Sequence, residues 1–172
     1  MAKSYLRIHL RQWLICVACC VVVPRVAGAQ MTSAQESEDV YRFLDLREKL
    51  QTKLKDSERL KIQLALGEYY FKIKALREAK VSFQEIVQQN KGGIPTLLAN
   101  VYLYHLARIK GENSDYSLEL KKKIFEDQFI LLFDKYKTVS FTSSWGYRYE
   151  IHYFVDKIVV YRDGEVLEEI TP

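Results

Sequence analysis

Residues 60–90, LKIQLALGEYYFKIKALREAKVSFQEIVQQN, carry the clearest structural pattern in this chain. Small and large side chains recur there at helical spacing, at Leu66, Gly67, Tyr70, Leu76, Ala79 and Phe83. A glycine inside a helix costs about 1 kcal/mol relative to alanine, so Gly67 needs a packing reason. We expect a second helix to pack against Gly67, with Ala79 as its matching small residue. Tyr70 and Phe83 are expected to fill the space around the contact. The stretch therefore predicts a helical hairpin.

In this spacing of small and large residues the hairpin resembles a tetratricopeptide repeat (TPR). The resemblance covers about one fifth of the chain, and Lys74 stands where the family has a glycine between its two helices. Residues 96–137 resemble a second, degenerate copy, with Gly111 at the inter-helix position. The resemblance implies a protein-binding scaffold built from stacked helical hairpins.

The segments on either side of the hairpin also show regular patterns. Apolar residues at three- and four-residue steps predict a first helix, at Val40, Phe43, Leu46, Leu50 and Leu54. We expect further helices over residues 96–110 and from about residue 116 to residue 137. After Thr138 the period changes to two, which predicts strands at 147–153, 158–161 and 166–170, with 139–141 as a fourth candidate.

The sequence Arg162-Asp163-Gly164-Glu165 predicts a two-residue hairpin turn between the last two strands. This turn would place Arg162 opposite Glu165, Tyr161 opposite Val166 and Val160 opposite Leu167. The predicted fold class is therefore α+β and mainly α: a short TPR-like array of helical hairpins with a small C-terminal antiparallel β-meander. We expect a helical domain over residues 30–137 and a meander over residues 138–172 that packs on the last helix.

The first 29 residues have the layout of a secretory signal peptide. Three basic residues precede an eleven-residue apolar run, and Ala27-Gly28-Ala29 follows as a cleavage motif. The apolar run is about half the length that a membrane-spanning helix needs. We expect a mature chain that begins at Gln30, is exported to a bacterial periplasm or secreted, and has no membrane span. An uncleaved anchor and an acylated Cys19 or Cys20 are the alternatives.

Composition excludes several classes of function. The chain has 26 Lys and Arg against 22 Asp and Glu, but four of the basic residues lie in the first 29 positions, which contain no acid. The remaining 22 basic and 22 acidic residues balance, which argues against binding nucleic acid through a basic surface. All three cysteines also precede residue 30, so the mature chain has no thiol chemistry.

No pattern of catalytic residues stands out. His105 and His152 lack a second His or a Cys at ligand spacing, and neither a nucleophile motif nor a phosphate-binding glycine loop occurs. We therefore expect no enzyme activity, no metal and no cofactor. His105 is expected to be a partly buried helix residue, and His152 to be solvated on a strand.

The TPR resemblance implies that a protein or peptide partner lies in a groove of the helical array. The positions that it assigns to this groove are Lys61, Leu64, Glu68, Phe71 and Lys72 in the first hairpin, and Leu98, Val101, His105, Arg108 and Ile109 in the second. Leu64, Glu68, Phe71 and Lys72 share one helix face, and Phe71 is the expected anchor unless it packs as core. The alternative functions are a structural subunit of a cell-envelope assembly that completes a neighbouring sheet with its β tail, or an enzyme of unrecognised type.

Overall fold

In the part of the chain that the structure describes, five helices precede a four-stranded sheet. The computed structural model describes residues 33–89, 91–111, 114–126 and 138–172. Its elements are α1 (Ser33–Leu50), α2 (Asp56–Lys72), α3 (Leu76–Gln88), α4 (Ile94–Lys110), α5 (Ser114–Glu126), β1 (Thr138–Thr142), β2 (Arg148–Tyr153), β3 (Ile158–Arg162) and β4 (Glu165–Ile170). This confirms the α+β, mainly α class with a C-terminal meander. The predicted signal peptide and the predicted continuation of the last helix over residues 127–137 lie outside the described residues.

The α2–α3 hairpin has the close contact that Gly67 predicts. A Cβ atom at Gly67 would lie 2.5 Å from Cε1 of Phe83, which is too short for any real contact. The ring of Phe83 therefore occupies the space that the missing side chain leaves, whereas Ala79 had been expected to meet the glycine. Phe83 and Ala79 are both fully buried. The turn between the two helices passes through Lys74, whose φ of +63° lies in the left-handed region that glycine adopts more readily.

Helices α2 to α5 pack in chain order. Each contacts the next, and α2 also contacts α4. Helix α4 begins with Pro95 in its first turn and ends at Gly111, whose φ of +61° closes the helix with a left-handed cap. Ten residues of α4 are buried, as expected for a helix that lies between neighbours.

The sheet is a simple antiparallel meander in the order β1-β2-β3-β4. The turn through Asp163 and Gly164 has positive φ at both residues, and Arg162 pairs with Glu165 and Tyr161 with Val166, as predicted. The third predicted pair is wrong: Val160 lies opposite Glu168, because a β-bulge at Leu167 inserts one extra residue into β4. The bulge places Glu168 on the same face as Val160, which is fully buried.

The larger of two apolar clusters is shared by helices and sheet. It contains side chains from α2 to α5 together with Tyr149, Ile151, Ile158, Val160 and Ile170 of the sheet. The described residues from 37 to 172 form one compact unit. The described hydrogen bonds between helices and strands are made mainly by α2 and α4. The packing of the meander on the last helix stays a prediction, because residues 127–137 of that helix lie outside the described residues. None of the helices in the described ranges has both the length and the apolar character needed to cross a bilayer.

Candidate functional site

The predicted partner-binding face of α2 is largely buried. Leu64 and Glu68 are fully buried and Phe71 is 8% exposed, so the space next to them is filled by the chain itself. Phe71 packs its ring on Tyr102 and His105 of α4, with ring centroids 5.3 and 5.6 Å away. In this structure Leu64 and Glu68 offer no surface to a partner, and the small exposed part of Phe71 is too little to anchor one.

The two lysines of the predicted set lie at the rim. The amine of Lys72 donates to Asp39 of α1 at 2.5 Å and lies 5.9 Å from the ring centre of Trp145. Lys61 is exposed and lines a cleft between α1 and α2. Lys72 therefore joins two parts of the fold, whereas Lys61 is open to solvent.

Glu68 is held in a polar cluster between α2 and the sheet. Its two carboxyl oxygens accept hydrogen bonds from Ser143 Oγ and from the hydroxyl of Tyr149, each at 2.7 Å. Burial raises the pKa of Glu68 to about 7, although both hydrogen bonds and the nearby Arg162 favour the charged form. Burial likewise raises the pKa of Tyr149.

A chain of hydrogen bonds links Glu68 to Arg162. The hydroxyls of Tyr149 and Tyr102 lie 2.7 Å apart, and Arg162 donates to the Tyr102 hydroxyl at 3.0 Å. A hydroxyl has one proton, and that of Tyr149 is directed at Glu68, so Tyr102 donates to Tyr149. The two tyrosines thus connect a buried carboxyl group to a guanidinium group without a direct ion pair. Glu68, Tyr102 and Tyr149 are at most 1% exposed, so this cluster connects helices to sheet and is closed to a substrate.

The predicted residues of α4 lie at a different place, beside the last strand. His105 Nδ1 is 2.6 Å from a carboxyl oxygen of Glu168, and Arg108 donates to the other oxygen. Glu168 is only 4% exposed, whereas the side chain of Arg108 is 56% exposed. His105 and Arg108 thus hold the carboxylate that the bulge turns inward. Sequence reasoning missed Glu168, because the predicted register put Leu167 opposite Val160.

A cleft of about 440 Å3 opens next to this cluster. The residues that line it are His105, Arg108 and Ile109 of α4 and Val166, Leu167, Glu168 and Glu169 of β4. Ile109 and Val166 are more than half exposed, so the cleft presents apolar side chains to solvent. Among the predicted partner-binding residues, the structure therefore brings His105, Arg108 and Ile109 together at one open surface. The other two second-hairpin positions, Leu98 and Val101, are fully buried.

The described residues contain no cluster of three or more His, Cys, Asp or Glu side chains arranged to hold a metal ion. Asp39, Glu68 and Glu168 are buried carboxyl groups, and each has a protein partner instead.

Comparison with models of known protein families gave no match, and comparisons with curated proteins and with solved structures gave none either.

Proposed function

We propose that this chain is an exported protein-binding module that takes an extended segment of a partner protein into the cleft between α4 and β4. The observation that carries the proposal is the position of this cleft beside an edge strand. Within the described residues β4 pairs with β3 alone, so the backbone groups on its other edge have no strand partner there. An extended peptide can add to such an edge, with backbone hydrogen bonds for affinity and side-chain pockets for specificity.

The cleft supplies contacts suited to such a segment. Ile109 and Val166 are 58% and 57% exposed and would cover apolar side chains of the added strand. Arg108 stays half exposed after pairing with Glu168, so its remaining N–H groups can donate to the carbonyl groups of a peptide. An apolar centre with a charged rim is the usual composition of a small protein interface.

Charge favours a different protein over a second copy of this chain. Strand β4 contains Glu165, Glu168 and Glu169 and no basic residue. Two antiparallel copies of β4 would bring like charges close together, which destabilises strand pairing. A partner strand with neutral or basic side chains avoids this repulsion.

The proposal keeps the scaffold function that the TPR resemblance implies, but it assigns partner binding to the cleft between α4 and β4 instead of the groove-facing side of α2. The proposed binding surface contains His105, Arg108 and Ile109 and does not include the buried face of α2. The structural alternative, a subunit of an envelope assembly, would use the same edge for a permanent contact. A partner that exchanges on the timescale of a titration favours the module, whereas a complex that resists dissociation favours the assembly subunit.

The proposal that the protein is exported depends on the signal-peptide pattern of residues 1–29. Intact mass spectrometry of the protein purified from its source should give a chain that begins at Gln30. A mass that includes all of the first 29 residues would contradict cleavage, and with it the periplasmic or secreted location.

The binding surface can be tested by site-specific crosslinking. A photo-reactive amino acid at Val166 should capture one partner segment in cells of the source organism. The same group at Val81 of α3, an equally apolar side chain that is 49% exposed, should not. The captured segment, made as a synthetic peptide, should bind the purified protein. Ile109→Asp should weaken that binding at least about tenfold, and Val81→Asp should leave it unchanged. Equal capture at both positions, or equal binding by both Asp variants, would show that the cleft is not the site.

A further inference from the structure

A second cleft, of about 520 Å3, lies between α1, α2 and the loop that joins β1 to β2. Its apolar part consists of Leu46, Leu54 and Ile62, of which Leu46 and Ile62 are buried. Volumes of this order are typical of sites for small molecules. The cleft lies on the α1 side of α2 and shares no residue with the α4–β4 cleft.

The charges around this cleft are unequal. Arg42, Lys49 and Lys61 line it together with Asp45 and Glu58, which leaves one excess positive charge. Lys49 already pairs with Asp45 at 2.7 Å on the same helix. No ion pair joins Arg42 or Lys61 to a carboxylate of the described residues, and Glu58, which also lines the cleft, offsets one of their two positive charges.

Arg42 is held in place before any ligand arrives. Its guanidinium group lies over the ring of Trp145 at 5.4 Å and donates to the backbone oxygen of Ser144 at 3.4 Å. Gly146 lies next to this arginine, and its φ of +104° is the reason that a glycine is favoured in this loop. An arginine fixed in this way loses less conformational entropy on binding than a free one.

We propose that this cleft binds a small anionic amphiphile, with its carboxylate or phosphate group between Arg42 and Lys61 and its hydrocarbon chain on Leu46, Leu54 and Ile62. The guanidinium group pairs with the oxyanion through charge-assisted hydrogen bonds, and the apolar floor removes the chain from water. The chemistry requires both parts, because neither a short anion nor a cation with the same chain satisfies the site.

Isothermal titration of the full-length protein with monomeric decanoate tests the proposal. Decanoate should bind, whereas acetate and decyltrimethylammonium should bind at least about tenfold more weakly, since each lacks one of the two features. Arg42→Gln and Lys61→Gln should each weaken decanoate binding severalfold, and Leu54→Asn should do so without a change of charge. Arg77→Gln, which removes an exposed cation on α3, should have no effect.

Equal affinity for decanoate and decyltrimethylammonium, or equal affinity for the Lys61→Gln and Arg77→Gln variants, would overturn the proposal. Co-sedimentation with phosphatidylglycerol vesicles that Lys61→Gln abolishes would support the site with a lipid head group as ligand. Decanoate binding without co-sedimentation would support it with a free amphiphile. Absence of binding to both probes would overturn it.

Discussion

Gly67 and Glu68 are neighbours on α2, yet they face two very different environments. Gly67 meets the ring of Phe83 on α3, sixteen positions further along the chain, in a contact made only of carbon atoms. Glu68 faces the sheet and is hydrogen bonded to Ser143 and Tyr149, 75 and 81 positions away. The first contact depends on side-chain size at helical spacing. The second depends on polar groups that only the folded chain brings together.

The two contacts also differ in how they stabilise the fold. The apolar contact gains free energy by removing carbon from water and by close packing. The polar cluster must first offset the cost of taking a carboxyl group out of water, and it does so only while each polar atom keeps its partner. We therefore expect the apolar side to respond to changes of volume, and the polar side to respond to pH.

The largest effect is expected from Phe83→Ala. Phe83 is fully buried and stacks on Tyr102 with ring centroids 4.6 Å apart, so its removal leaves a cavity between three helices. The free energy of unfolding should fall by ~3–5 kcal/mol, measured by urea denaturation. Val81→Ala, which shortens an exposed side chain of the same helix, should change it by less than about 0.5 kcal/mol. A loss below about 1 kcal/mol for Phe83→Ala would contradict the tight contact.

The second-largest effect is expected from the ionisation of Glu68, which makes the free energy of unfolding depend on pH. Its pKa is about 7 in the folded protein and 4.5 is its ordinary value, so the folded state binds the proton more tightly than the unfolded state. The contribution of this group to stability is complete below about pH 4.5 and is lost as the pH rises through about 7. The total loss is on the order of 3 kcal/mol.

The control for this prediction is Glu68→Gln, which removes the titrating group and keeps its size. Between pH 5 and pH 8 the free energy of unfolding should fall more steeply for the wild type than for the variant. Parallel pH profiles for the two proteins would mean that the carboxyl group has an ordinary pKa. They would also mean that the carboxyl group is not shielded from water as it is in the structure.

Gly67→Ala should have a smaller effect, again without pH dependence. The added methyl group would lie 2.5 Å from the Phe83 ring, and the stacked Tyr102 limits how far that ring can move away. We expect a loss of ~1–3 kcal/mol from overpacking, reduced by the better helix propensity of alanine. Wild-type or higher stability of this variant would show that α3 can move away from α2.

The smallest of these effects is expected from Ser143→Ala. The change removes one of the two donors to the Glu68 carboxyl group and leaves the helix–helix contact intact. The loss should be about 1 kcal/mol at pH 5 and about 2 kcal/mol at pH 8, because a hydrogen bond to a charged acceptor is worth more. Equal losses at the two pH values would show that Glu68 does not change its charge over this range.

Much of the architecture could be predicted from local pattern. The helical period around Gly67, the glycine at the end of α4 and the Asp163-Gly164 turn each depend on neighbours in the chain, and each is present in the structure. The bulge at Leu167 could not be predicted, because a one-residue insertion in a strand leaves no mark on an apolar pattern of only six residues. The candidate site depends on this bulge, since it decides whether Leu167 or Glu168 faces His105 and Arg108.

The sequence by itself determined which segments are helix and strand, where the hairpin turns lie, and that α3 packs on Gly67. These features follow from backbone preferences and side-chain size over short distances along the chain. Only the tertiary structure decided that Leu64, Glu68 and Phe71 are interior residues and that His105 and Arg108 border an open cleft. The physical reason is that a helix pattern shows which residues share a face but does not show what covers that face. Here two later parts of the chain cover it: Tyr102 and His105 of α4 pack on Phe71, and Tyr149 of the meander is hydrogen bonded to Glu68. The strands of the meander begin more than sixty residues after α2 ends.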